Sequence, residues 1–166
     1  MTHFPHVKEP QNLYELSWIY AHVGKVAVDT DTGLLLDANP TAEALLGYSR
    51  EELIGMHATM LHPESERELV EADFRKAMLR PSPHFGLHIQ RKDGRSVPVA
   101  IWSSEKLKLD GRSVVISEFR DITVRKDAEK HLVQLEERYR GLMEAAPDGM
   151  VVVNQDGEIV LLNARA

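Results

Sequence analysis

Apolar positions along this chain change period several times, and each change predicts an element. Leu13, Leu16 and Tyr20, with Ile19 and Val23 beside them, recur at helical spacing and predict a short amphipathic helix over residues 10–22. A β-branched strand, a turn at Gly33 and a second apolar strand predict a hairpin over 25–38. Asn39-Pro40 then makes a helix start, the amide accepting from first-turn N–H groups and the proline fitting the first turn, and Gly47 stops that helix. Ser49-Arg50-Glu51-Glu52 has capping-box spacing, so a second short helix runs to Ile54 and ends at Gly55. His62-Pro63 opens a longer helix, Glu64 to Leu79, whose apolar side carries Leu69, Val70, Phe74, Ala77 and Met78 before Pro81 and Pro83 end it. Alternation then predicts three strands: Phe85, Leu87 and Ile89 before the Asp93-Gly94 turn, Val97, Val99 and Ile101 after it, and Val114 to Arg120 beyond Gly111. This order predicts an α+β domain with helices over one face of an antiparallel sheet.

Ala128, Leu132, Leu135, Tyr139, Leu142 and Ala146 follow at alternating steps of four and three, a heptad seam on a charged helix. Two readings stand open: a solvated linker on its own domain, or a parallel dimeric coiled coil. The last residues repeat the first ones. Val26 to Asn39 slides onto Met150 to Asn163 without a gap, so that Val28, Gly33, Leu35, Asn39 and Ala42 meet Val152, Gly157, Ile159, Asn163 and Ala166. The preceding helical pattern coincides too, Trp18-Ile19 falling on Leu142-Met143. The repeat predicts a duplicated domain of which only the first hairpin is present, and a lone hairpin is marginal in water. It is expected to be disordered, to lie on a neighbour, or to pair through an open edge. Four segments result: a helix within 1–23, a domain over 24–122, a helical linker over 123–147 and a second-copy hairpin over 148–166.

Composition removes several classes of function. The net charge of −6, with basic residues scattered, argues against nucleic-acid binding. The absence of cysteine excludes disulfides, thiolate metal sites and thiol nucleophiles, and fits a cytoplasmic location. No apolar run approaches the ~20 residues needed to cross a bilayer, so no membrane contact is expected of this chain. Ser, His and Asp stand in no nucleophile elbow and at no metal-ligand spacing, and the glycines are isolated turn and cap residues. No catalysis is expected; a kinase or nucleotide cyclase elsewhere in a parent protein would carry it.

The series Asn39, Ala42, Leu46-Gly47-Tyr48, Glu52-Leu53-Ile54-Gly55, His62-Pro63-Glu64, Arg91-Lys92-Asp93-Gly94, Val97-Pro98-Val99 and Phe119-Arg120-Asp121-Ile122-Thr123 closely resembles the PAS sensory domain. The resemblance covers 25–123, the helix after it and the partial copy. It implies a five-stranded antiparallel sheet in the order 2-1-5-4-3, with helices on one face around a space for a ligand or cofactor. It also implies relay of a small-molecule or redox cue through Asp121, Ile122 and Thr123 and a coiled coil to a following PAS or sensor histidine kinase domain. Asp121 and Thr123 equally suit a helix cap. A ligand-free scaffold that dimerises or docks another signalling domain is the alternative function.

The cofactor is unknown from sequence. Cysteine-linked flavin or chromophore is excluded, and haem is disfavoured because the helix from Glu64 to Leu79 carries no histidine where haem-binding relatives place one. His62 and His57 are not expected to bind metal, and His84 and His88 lie about 13 Å apart along one strand face. Alternation turns Ser103 and Ser117 toward an apolar interior, where each hydroxyl needs a partner. Those partners are either backbone, water or neighbours, or else a small ligand in a pocket lined by Met60, Phe74, Phe85, Leu87, Val99, Ile101, Ser103, Val115 and Ser117. On the outer sheet face Trp102, with Ala100, Val114 and Ile116, forms a patch that wants a cover. Leu13, Leu16 and Tyr20 of the N-terminal helix, from the same chain or a partner, are the expected cover, and Leu132, Leu135 and Tyr139 the expected dimer seam.

Overall fold

A computed structural model describes residues 13–77 and 84–166. The chain divides into two compact units, Met1–Thr123 and Val124–Ala166.

The first unit opens with α1 (Leu13–Ile19), β1 (Gly24–Asp29) and β2 (Leu35–Ala38), followed by α2 (Pro40–Leu46) and α3 (Arg50–Leu53). Two 3₁₀ turns, Ala58–Leu61 and Glu64–Glu66, lead into α4 (Arg67–Ala77). Strands β3 (His84–Gln90), β4 (Ser96–Ser103), β5 (Leu107–Leu109) and β6 (Arg112–Asp121) complete it. All pairings are antiparallel, in the order β2-β1-β6-β4-β3, while the short β5 pairs with the beginning of β6. Without that extra strand, the arrangement is the expected 2-1-5-4-3 sheet of an α+β domain.

Local chemistry explains the short helices. Asn39 caps α2 with Pro40 in its first turn, and Gly47 ends it at φ 78°, a left-handed conformation that only glycine adopts cheaply, donating its N–H to Glu43. Ser49 and Glu52 form the predicted capping box at α3. α4 begins at Arg67 rather than Glu64, because Pro63 is extended and the next three residues close a tighter 3₁₀ turn. Its facing differs from the sequence pattern as a result: Val70 is buried but Leu69 is exposed. Met78, Leu79, Pro81 and Pro83 lie outside the described residues.

The core sits between the sheet and these helical segments. Val26, Val28, Leu35, Leu46, Leu53, Leu61, Ile89 and Val99 are almost wholly removed from water, each contributing about 1.5–3 kcal/mol of burial. Registry places the inner-face partners Val26 with Ser117, Val28 with Val115 and Ile101 with Phe119. On the outer face, a groove between α1 and the sheet is lined by Ser17, Trp18, Lys25, Trp102, Ile116 and Glu118. Within the chain it is Ser17 and Trp18 of α1 that border this face, while Leu13, Leu16 and Tyr20, expected to cover it from the same chain or from a partner, are exposed. At the end of α1, Asn39 Nδ2 donates to the Trp18 carbonyl and the Thr41 hydroxyl donates to that of Ala21. Those bonds stop the helix and leave Trp18 and Ile19 as its half-buried side.

The second unit comprises nearly all of α5 (Thr123–Ala145), with β7 (Val151–Val153) paired antiparallel to β8 (Ile159–Leu162). Leu132, Leu135, Tyr139 and Leu142 of the heptad seam are exposed, whereas Met143 is buried. The hairpin is formed as an antiparallel pair of two strands and is not disordered; whether it lies on a neighbour or pairs through an open edge is a property of assemblies of the chain. One buried side chain replaces the missing core as its anchor: Asn163 donates to the carbonyls of Met143 and Asp148 and accepts from Met150 N–H.

The duplication extends to individual hydrogen bonds. Asn39 donates to Trp18 and Val23 and accepts from Lys25 N–H, and each asparagine also donates its backbone N–H to the carbonyl of the residue whose N–H its side chain accepts, Lys25 for Asn39 and Met150 for Asn163. Trp18 therefore corresponds to Met143, one position along from the ungapped sliding match. The first copy has one extra residue in its turn. Asp29 Oδ1 accepts from Asp31 and Thr32, whereas Asn154 Oδ1 accepts from Asp156 and Glu158, and Gly33 and Gly157 bond back across unequal spans to Asp29 and Asn154.

Candidate functional site

A half-open cavity of about 280 Å³ lies inside the first unit, toward one end of the sheet. Its floor is the inner face of β1 and β6, through Val26, Val28, Ser117 and Phe119. Its walls are the 57–62 segment, through His57, Ala58, Thr59, Leu61 and His62, and the start of α4, through Val70 and Glu71. Residues Thr30 to Gly33 of the β1–β2 turn form the rim.

The turn and the 57–62 segment are fastened to each other. Asp29 Oδ1 accepts from Asp31 and Thr32 N–H at 2.8 and 3.1 Å, and these bonds, the Asp31 one first, hold its carboxyl below the ordinary value. Ala58 N–H donates to Gly33 O and Leu35 N–H to Met56 O, both at 2.9 Å. Gly33 has φ 71°, and a Cβ there would fall 2.3 Å from His57 Nε2, so the imidazole occupies the space a side chain at this position would need. His57 Nδ1 accepts from Thr59 N–H at 3.4 Å and lies 2.8 Å from the Thr59 hydroxyl, which leaves Nε2 as the neutral ring's donor.

His62 is 3% exposed. Its Nδ1–H donates to the His88 carbonyl at 2.6 Å, fixing the tautomer, and its ring lies 6.5 Å from that of Phe119. Glu66 holds the same strand from outside, accepting from His88 N–H at 2.8 Å and pairing with His88 Nδ1 at 2.7 Å. Burial lowers the His62 pKa, opposed by the His88 carbonyl and the Glu66 charge. A folded-state value below the ordinary 6.5 means that the unfolded chain binds more protons between the two values. Stability is therefore full above about pH 6.5 and falls as pH drops toward the lowered value. Urea unfolding between about pH 7.5 and about pH 5.5 should show a smaller loss for His62→Gln than for the unchanged protein; equal losses would refute the assignment.

Of the residues expected to line a pocket, only Ser117 does so among those described. Leu87, Val99, Ile101 and Val115 are buried, but protein side chains fill the interior around them. Met60 is half exposed, since the 3₁₀ turn gives the inward position to its neighbour Leu61. Ser103 does not reach the cavity; its hydroxyl bonds that of Ser117 at 3.1 Å, so the two hydroxyls satisfy each other. The Phe74 and Phe85 side chains lie outside the description. Sequence reasoning missed the turn, His57, His62 and Glu71. The Asn39-type repeat marked the turn, but nothing in the pattern marked the gap beside it.

At the far end of β6, Asp121 Oδ1 accepts from Thr123 N–H at 2.7 Å and Ile122 N–H donates to Pro98 O at 3.1 Å. Asp121 thus joins the strand to the first turn of α5. Among the described residues there is no cluster of three metal-ligating side chains, and no helix is long and apolar enough to cross a membrane.

Comparison with known proteins agrees with this architecture. PAS domain family models match residues 25–124 and, separately, residues 137–166. The methyl sulfide methyltransferase-associated sensor of Methanosarcina acetivorans is 31% identical over 94 residues, which is 57% of this chain but only 9% of that protein. Solved PAS domains from Colwellia psychrerythraea (24% identity, 66% of this chain and 94% of that one, TM-score 0.59) and from an HTR-like protein of Haloarcula marismortui (19%, 66% and 88%, 0.57) share the fold. From its sheet order, its motifs and the match over 25–124, this chain belongs to the PAS domain family, whose domains are sensory and not catalytic.

Proposed function

We propose that the first domain binds a small ligand in the cavity beneath the β1–β2 turn and relays its occupancy along β6 into α5. The observation that carries this reading is the continuity of one strand. Ser117 and Phe119 form the cavity floor, and Asp121, two residues on, accepts from the N–H of Thr123, the first residue of α5. A strand is stiff over so short a span, so displacement of Phe119 by a ligand is passed to the helix start instead of being absorbed in a loop. The name of the Methanosarcina relative, a sensor, supports a sensory role.

The exposed seam of Leu132, Leu135 and Tyr139 on α5 favours a homodimer as the receiving element, with a PAS or histidine kinase domain downstream in a parent protein. Native mass spectrometry of the chain purified from cells reads both features. A dimer carrying a retained small molecule that is released on denaturation is the expected result. A bare monomer whose cavity methyls also stay unshifted with a library of small fragments would overturn the reading.

A further inference from the structure

α5 is fastened by hydrogen bonds at both ends. At its start, Asp121 Oδ1 accepts from Thr123 N–H, and Ile122 N–H donates to Pro98 O. In its last turn the Met143 carbonyl accepts from Asn163 Nδ2 at 3.0 Å, and the Glu144 carboxylate accepts from Ala164 N–H at 3.0 Å. Carbonyls in a helix's last turn lack the usual partner four residues on, so they can take a donor from outside. Asn163 joins three pieces of chain: the helix end at Met143, the connection at Asp148 and the approach to β7 at Met150. It is 1% exposed, although Val151, Val153, Ile159 and Leu162 of the same hairpin are each at least 50% exposed. The tie is therefore not a by-product of apolar burial. The same bonds recur at Asn39, which holds the end of α1 at Trp18 in a domain with a packed core.

We infer that Asn163 is the positioning residue through which α5 drives the second copy, as Asn39 is for α1 and the first. The two sides of the amide divide the work. Oδ1 closes the hairpin by accepting from Met150 N–H, while Nδ2 holds the helix end and the connection. Gly149 would make that connection a natural hinge. It is clamped instead: a Cβ at Gly149 would fall 2.9 Å from Arg165 O, and Arg165 Nη1 donates to Pro147 O at 3.1 Å. A rotation or shift of α5 thus reaches β7 without a slack joint, and the helix end and the hairpin move as one body. The inference rests on the relay reading above, in which α5 is the moving element.

Residual dipolar couplings of the intact chain read this joint without any ligand. The N–H vectors of α5 and those of β7 and β8 should fit one alignment tensor of one magnitude. Asn163→Asp keeps the acceptor toward Met150 but turns an oxygen toward the Met143 and Asp148 carbonyls. It should leave the strand-paired shifts of the hairpin in place and lower its alignment relative to α5 by about a fifth or more, as order falls from the rigid to the flexible range. A two-glycine insertion between Ala146 and Pro147 lengthens the covalent connection but keeps the side-chain tie, so the single tensor should survive it; this variant decides the matter even where Asn163→Asp unfolds the hairpin. Two tensors in the unchanged chain, separation by the insertion alone, or a folded Asn163→Asp hairpin still aligned with α5 would overturn the inference and leave the cavity reading standing. A single tensor beside a bare, unresponsive cavity would remove the ligand reading and leave the joint intact.

Discussion

Asn39→Ala should destabilise the first domain by about 2–4 kcal/mol, an unusually large loss for a polar residue. The side chain is inaccessible to solvent, and all its hydrogen-bonding capacity is used. Oδ1 accepts from Lys25 and Ala42 N–H, and Nδ2 donates to Trp18 and Val23 carbonyls. Loss of the cap on α2 accounts for about 1 kcal/mol. The larger part comes from stranding backbone groups of three elements where water does not reach. Asn39→Asp separates the contributions, because it keeps the acceptor side but turns an oxygen toward two carbonyls. It should fall at or below the alanine variant in stability, not near the unchanged protein. Urea unfolding followed by circular dichroism measures both. A loss under about 1 kcal/mol for alanine would mean that the asparagine acts as a helix cap alone.

Leu61→Ala should cost about 2–4 kcal/mol and enlarge the cavity. Leu61 is 1% exposed and belongs both to the core and to the wall of the site. Its neighbours cannot collapse into the space easily, since the 57–62 segment is tied to Gly33 through Ala58 and to β3 through His62. Leu61→Met nearly conserves volume and should cost less than about 1.5 kcal/mol. Thermal unfolding ranks the three proteins, and a crystal structure of the alanine variant shows whether the void persists. A filled void with little loss of stability would mean that this wall is pliable and that the cavity's volume is not set by the fold.

The His62 titration and these two substitutions probe the same structural fact. The cavity exists because short segments are pinned at their ends, not because a large apolar surface shapes it. Asn39 pins α1 and β1 to α2, Gly33 and Ala58 pin the turn to the 3₁₀ segment, and His62 pins that segment to β3. Each pin is a buried or half-buried polar group with its partners in place, and such bonds are costly to break singly because the remaining partner keeps its desolvation penalty.

Much of this was legible along the chain. Alternation determined which strand residues face inward, the Asn39, Gly47 and Ser49–Glu52 signals determined where the short helices begin and end, and the repeat of the Asn39 region announced a second copy. These depend on interactions within a few residues, or on a period that the backbone imposes wherever it runs. Tertiary structure alone decided where the interior is left unfilled. Leu87, Val99 and Ile101 face inward as their period requires, yet pack into protein, while Thr30 to Gly33, His57 and Glu71 border a space. Whether an inward side chain meets another side chain or a void depends on how far the 57–62 segment stands from β1 and β6. That spacing is set by hydrogen bonds such as His62 to His88, 26 residues apart in sequence, which no local pattern encodes. The pairing of Ser103 with Ser117 and the one-residue difference between the two hairpin turns are of the same kind. Both follow from strand registry, which only the assembled sheet determines.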